Sequence, residues 1–118
     1  MPKVMIVDDD RNMVKLLQTL LTLDGFVVAH EAKAEAIISA IRREKPDVVL
    51  MDKNLAGADG IVLLGEIRAD AELSRLPVVI ASGEDVGYKC IEAGANDFIL
   101  KPYSPEQLTE ALKKVLPQ

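Results

Sequence analysis

The sequence predicts an α/β fold, a doubly wound, five-stranded parallel sheet with helices on both faces, and three observations carry that reading. Five short apolar runs punctuate the chain: Val4–Val7, Phe26–Ala29, Val48–Met51, Val78–Ala81 and Phe98–Leu100. Near-continuous Val, Ile, Leu and Met runs of this length are what strands buried on both faces look like. Amphipathic segments alternate with the runs, which calls for βα units and right-handed crossovers and leaves only a few doubly wound strand orders. Among these, 2-1-3-4-5 is expected. At 118 residues the chain is expected to form one domain, 1–118, large enough to bury a proper apolar core.

The helices follow in order. Met13, Leu16, Leu17, Leu20 and Leu21 have the i, i+3, i+4, i+7, i+8 spacing of one buried helical face. Asp10 is best read as the N-cap of that helix, and Gly25 after Asp24 can end it in the left-handed C′ conformation. Ala34, Ile37, Ile38 and Ile41 repeat the pattern until Lys45-Pro46, with Arg42-Arg43-Glu44-Lys45 as a solvated helix end. A third helix begins near Asp59-Gly60 and turns Ile61, Leu64 and Ile67 to the core. The fourth, Val86 to Ala93, is short. The fifth opens with Ser104 as N-cap, Pro105 at N1 and Gln107 at N3, a capping box. Its buried stripe is Leu108, Ala111, Leu112 and Val115. No repeat, linker or low-complexity segment interrupts the series.

Composition excludes several functions. A net charge of −5 argues against a nucleic-acid surface, which needs positive charge to displace counterions. No apolar stretch approaches a membrane span, and no signal pattern opens the chain. The single Cys90 cannot form an internal disulfide, which fits a cytoplasmic protein; it reads as a small residue packed on a helix. His30, on or just after the second strand, is expected at the surface, far from any site.

Chemistry gathers at one end of the predicted sheet. The first run leads into Asp8-Asp9-Asp10, the third into Asp52, the fourth into Ser82-Gly83 and the fifth into Lys101-Pro102. Open parallel sheets bind ligands outside the carboxyl ends of their strands, at the point where strand order reverses. In the order 2-1-3-4-5, strands one and three are neighbours there, so Asp8 and Asp9 face Asp52. Carboxylates so close repel unless neutralised, and Mg²⁺, which takes one or two carboxylates plus waters and a phosphate oxygen, is the natural neutraliser. With the metal present, one carboxylate can stay ionised and attack phosphorus. Phosphoryl transfer asks mainly for positioning and for compensation of the equatorial oxygens. Lys101 offers a point charge, Ser82 a hydroxyl, and Gly83 a backbone N–H that can approach closely. Taken singly, each group also has a plain structural explanation; four strand ends with compatible chemistry do not.

These segments make the chain resemble the receiver domains of two-component response regulators, from Lys3 to Leu116. The likeness rests on Val4-Met5-Ile6-Val7-Asp8-Asp9-Asp10, Pro46-Asp47-Val48-Val49-Leu50-Met51-Asp52, Leu76-Pro77-Val78-Val79-Ile80-Ala81-Ser82-Gly83 and Ala93-Gly94-Ala95-Asn96-Asp97-Phe98-Ile99-Leu100-Lys101-Pro102. The resemblance implies the flavodoxin-like (βα)5 order. It also implies a switch, not an ordinary enzyme, that accepts a phosphoryl group on Asp52 from a histidine kinase or phosphotransfer protein. Asp9 would ligate Mg²⁺ directly, Asp8 largely through water, and the Asn54 backbone carbonyl would join Asp52 in completing the protein ligands. Lys101 and Ser82 would meet the phosphoryl group, and Phe98 would be the aromatic switch residue. Lys101-Pro102 matches a position where the family commonly has a cis peptide, and Asn54 and Glu84 match positions that tune hydrolysis. A downstream target or fused output domain would read the face formed by helix four, strand five and helix five.

Departures from the family pattern also stand in the sequence. Lys53-Asn54-Leu55-Ala56-Gly57-Ala58 replaces the common Met-Pro start of this loop, so a looser loop and an unusual cation beside the site are expected. The stretch from Ser82 to Gly94 is shorter than the common pattern by about three residues, close to one helical turn. That puts the conventional mode of dimerisation or target binding in doubt. Two other functions fit less well. A phosphorylation-independent pseudo-receiver usually lacks an acid or the lysine, and all are present here. A Mg²⁺-dependent aspartyl-phosphate phosphohydrolase would want an Asp two residues after the nucleophile, where this chain has Asn54.

Overall fold

The computed structural model describes residues 1–116. Its main sheet contains β1 (Lys3–Val7), β2 (Val27–Glu31), β3 (Val48–Asp52), β4 (Val78–Ser82) and β5 (Asp97–Leu100), all parallel in the order 2-1-3-4-5. Around it lie α1 (Arg11–Leu23), α2 (Ile37–Glu44, entered through a 3₁₀ turn at Ala34–Ala36), α3 (Gly60–Ala69), α4 (Gly87–Glu92) and α5 (Pro105–Val115). The register levels the strand ends. Val7 pairs with both Glu31 and Met51, Met51 with Ile80, and Ile80 with Phe98.

Alternating side chains feed two apolar layers. Met5, Val7, Val49, Met51, Val78 and Ile80 pack with Ile37, Ile41, Leu64, Ile67 and Cys90 on the α2, α3 and α4 side. Val4, Ile6, Val48, Leu50 and Val79 pack with Val14, Leu17, Leu21, Leu108 and Leu112 on the α1 and α5 side. Helix ends follow the residues placed there. Asp10 accepts from the amides of Asn12 and Met13, Asp59 caps α3 through Ile61 N at 2.8 Å, and Ser104 and Gln107 form the reciprocal box. Gly25 has φ +93° after α1, a left-handed conformation that glycine adopts without Cβ strain. Helix α4 has six residues and no side-chain cap at Val86.

Four details differ from the sequence reading. Leu16 is 53% exposed, and Val14 takes its place in the core; α1 is rotated so that the stripe runs through Val14, Leu17 and Leu21. Strand β2 begins one residue later and ends two residues later than its apolar run, because the ladder to β1 continues through His30 and Glu31. Phe26 is buried just before it. The loop expected to be loose is a two-residue antiparallel hairpin, Asn54–Leu55 against Ala58–Asp59, turned at Gly57 (φ +76°) and anchored by buried Leu55. The charged end of α2 is tied down by ion pairs, Lys3–Glu44 at 2.8 Å and Arg42–Asp70. Glu44 is held below its usual range by hydrogen bonds from Lys3 and then Arg43.

Gly60 starts α3 against the backbone of the Asp52–Lys53 segment. A Cβ there would lie 2.7 Å from the Asp52 carbonyl oxygen and 2.9 Å from Lys53 Cα, whereas a Cβ on Gly65 would meet nothing within 4 Å. Gly60→Ala should therefore cost stability on the order of 1–3 kcal/mol through overpacking against main chain. Gly65→Ala should gain about 0.5–1 kcal/mol from helix propensity. Urea unfolding of the two variants checks the opposite signs; equal shifts would show that the Gly60 contact is relaxed at no cost.

Candidate functional site

The adjacency of β1 and β3 brings three acids together at the carboxyl edge of the sheet. Asp8, Asp9 and Asp52 each offer a carboxylate oxygen within 4.8 Å of the others. Asp8 is buried, and its Oδ1 accepts from the Asp10 amide at 2.9 Å. Asp9 is exposed, and its Oδ2 accepts from the Ala56 amide of the hairpin at 2.7 Å. Asp52 closes β3 and is half-buried, with Oδ1 3.5 Å from Lys101 Nζ. Burial raises the Asp8 carboxyl above its ordinary range; the Asp10 amide opposes the rise, and the Asp52 charge adds to it. An all-oxygen donor set with surplus negative charge suits a hard divalent cation such as Mg²⁺.

Strands β4 and β5 bring the remaining groups. Ser82 is fully buried, and its Oγ accepts from the Glu84 amide at 3.0 Å. Its carbonyl accepts from the Lys101 amide at 2.8 Å, which ties the ends of β4 and β5 together. Gly83 is exposed, with nothing within 4 Å of where a Cβ would stand. The Lys101–Pro102 peptide is cis. Phe98 lies beside Ile80 in the sheet, and its ring covers the first residue of α4: a Cβ on Gly87 would come within 2.9 Å of ring Cδ2. Asn54 is exposed, its amide 3.4 Å from Asp52 Oδ1.

Three residues carry weight that their sequence context did not signal. Lys53 turns its ammonium to Asp59, 3.6 Å away and at the start of α3, so its charge is engaged there and is not free beside the acids. Tyr103 sits close enough for the Asp8 and Asp52 charges to reach it; burial first, then those charges, push its hydroxyl up to about 12, so it stays neutral. His30 is not remote from the site. Its Nε2 lies 2.9 Å from the Asp8 backbone carbonyl oxygen. No periodicity or motif marks these contacts, which depend on side-chain reach across neighbouring elements.

Comparison with known proteins agrees with this architecture. The family model described as the response regulator receiver domain matches residues 4–113. The chain is 33% identical over 117 residues to the "Probable transcriptional regulator ycf27" of Guillardia theta, covering 97% of this chain and 45% of that protein. It spans less than half the length of the curated relatives it matches. The BeF3-activated N-terminal receiver domain of Klebsiella pneumoniae RstA superposes with a TM-score of 0.89 at 32% identity, over 98% of this chain and 99% of that one. The receiver domain of the sensor histidine kinase PA1611 from Pseudomonas aeruginosa PAO1, with a magnesium ion coordinated in its active site cleft, superposes with a TM-score of 0.86 at 25% identity, over 96% and 95%.

The raised Asp8 carboxyl makes a pH prediction for the metal-free protein. A group whose folded proton affinity exceeds its unfolded one contributes stability fully below the unfolded value, here 3.8, and loses it as pH rises through the raised folded value. Asp8→Asn removes that loss. In EDTA the variant should unfold at higher urea concentration than the parent at neutral pH, and the gap should close towards pH 4. A gap independent of pH would contradict this assignment.

Proposed function

Since the chain belongs to the response regulator receiver domain family, we propose that it is a phosphorylation-dependent switch whose phosphoacceptor is Asp52. The contact that carries this reading is Lys101 Nζ to Asp52 Oδ1 at 3.5 Å, set within the three-carboxylate cluster. Asp52 has one cation at hand and two further acids that a metal can neutralise. The phosphoryl group comes from the phosphohistidine of a histidine kinase or phosphotransfer protein. An Asp52 carboxylate oxygen forms the new O–P bond as the P–N bond breaks, and the bonding pair stays on the imidazole nitrogen.

Mg²⁺, when bound, neutralises phosphoryl oxygens; Asp8, Asp9, Asp52 and the Asn54 backbone carbonyl are the groups that would hold it. Lys101 meets the transferred group as a point charge, and the Gly83 amide, open to approach, donates to one oxygen. Ser82 donates its hydroxyl to another. Its Oγ now accepts from the Glu84 amide, and turning toward the phosphoryl group strains that bond and loosens the start of the β4–α4 loop. The added charge of about two units near neutral pH supplies the drive.

Two surfaces support partners for this cycle. Beside Lys101, a groove of Met13, Leu16, Leu20, Pro102, Tyr103 and Pro105 offers apolar seating to a helical phosphodonor. Tyr88 and Ile91 on α4 and Leu100 on β5 are exposed and belong to the α4–β5–α5 face from which a downstream target or a fused output domain would read the change. The length of the transcriptional regulators among the relatives favours such an output domain.

Acetyl phosphate with Mg²⁺ should label the protein one to one, and Asp52→Asn should abolish the label. Persistent stoichiometric labelling of that variant would move the acceptor elsewhere. Lys101→Ala should leave Mg²⁺ affinity within about twofold while slowing labelling at least tenfold, since its charge faces phosphate and not cation. Because α4 is a turn short, beryllofluoride should drive little dimerisation in sedimentation velocity; a tight activated dimer would show that the short helix still presents a dimer face.

A further inference from the structure

We propose that His30 is a positioning residue for the acid cluster, acting through the Asp8 backbone carbonyl. This rests on the reading of that cluster as a Mg²⁺ site. The β1–β2 ladder starts with the Val27 amide donating to the Pro2 carbonyl at 2.9 Å. Continued in the same register, the Lys33 amide would reach the Asp8 carbonyl. It does not, because the Glu31 carboxylate captures both the Ala32 and the Lys33 amides at 3.1 Å. The ring of His30 supplies the missing rung, with Nε2 2.9 Å from Asp8 O. Facing a carbonyl oxygen, Nε2 must carry a proton, and it does so both in the charged ring and in one neutral tautomer.

That rung bears on more than strand pairing. The Asp8 carbonyl and the Asp9 amide belong to one planar peptide unit, so fixing the carbonyl fixes the direction in which Asp9 leaves the strand. The other tethers of this turn act on the carboxylates themselves, Asp10 N on Asp8 Oδ1 and Ala56 N on Asp9 Oδ2. Metal ligation competes with them for the same oxygens. The His30 bond grips main chain, so it keeps both acids aimed at Asp52 while their oxygens are given over to a cation.

The test compares wild type, His30→Leu and His30→Gln at one pH. Mg²⁺ binding is followed by NMR titration without phosphodonor, and labelling by acetyl phosphate is measured as a function of Mg²⁺. His30→Leu should raise the half-saturating Mg²⁺ concentration about three- to tenfold, the span of one net hydrogen bond. Its labelling rate at saturating Mg²⁺ should stay within about twofold, since Lys101, Ser82 and Asp52 are intact. His30→Gln, whose side-chain amide can donate to the same carbonyl, should restore most of the affinity. An unchanged titration for His30→Leu, or a His30→Gln variant as impaired as His30→Leu, overturns the proposal alone. A wild-type protein that binds no Mg²⁺ overturns it together with the reading beneath it.

Discussion

Mutual repulsion among Asp8, Asp9 and Asp52 is the constraint to which the rest of the molecule answers. Two ionised carboxylates about 5 Å apart near a protein surface repel by on the order of 3 kcal/mol, and here three stand within 4.8 Å. Each is met by a donor from a different element. Asp8 takes the Asp10 amide, Asp9 the Ala56 amide of the hairpin, and Asp52 the ammonium of Lys101. These donors do not discharge the cluster, and at Asp8 burial first, with the Asp52 charge adding to it, still raises the carboxyl. The residual negative charge suits a hard divalent cation at this edge.

Holding that charge in place requires a rigid platform, and the sheet supplies it. Strands whose ends are level present Asp8, Asp52, Ser82 and Lys101 from four adjacent positions, with β3 clamped below by the close approach of Gly60. On the β4–β5 side the support is deliberately weaker. Helix α4 is short and uncapped, and the Phe98 ring rests on Gly87 at its first residue. A single buried side chain, Cys90, and a bare helix start mark a segment of low local stability. An event at Ser82 therefore meets its least resistance there.

Much of this was legible before any coordinates, for identifiable reasons. Strand ends and caps are local: Asp10, Asp59 and Ser104 signal helix starts through chemistry confined to three or four residues. The four reactive strand ends follow from a single assumption about strand order. Tertiary facts were less accessible. Leu16 and Val14 are both apolar, and only the docking angle of α1 decides which one faces the core. The Asn54–Asp59 hairpin is too short for periodicity to register. The contacts of Lys53 and His30 escape sequence reading because they lie on other elements: Lys53 finds Asp59, and His30, at the surface as expected, finds the Asp8 carbonyl. The groove beside Lys101 became visible only once α1 and the segment before α5 stood together.

The sheet is also a partition. Successive residues of β1 belong to different apolar layers, Met5 and Val7 to one and Val4 and Ile6 to the other. Phe98 packs with the first layer and its neighbour Ile99 with the second. A core substitution on the α2, α3 and α4 side can thus be absorbed without disturbing the layer packed under α1 and α5.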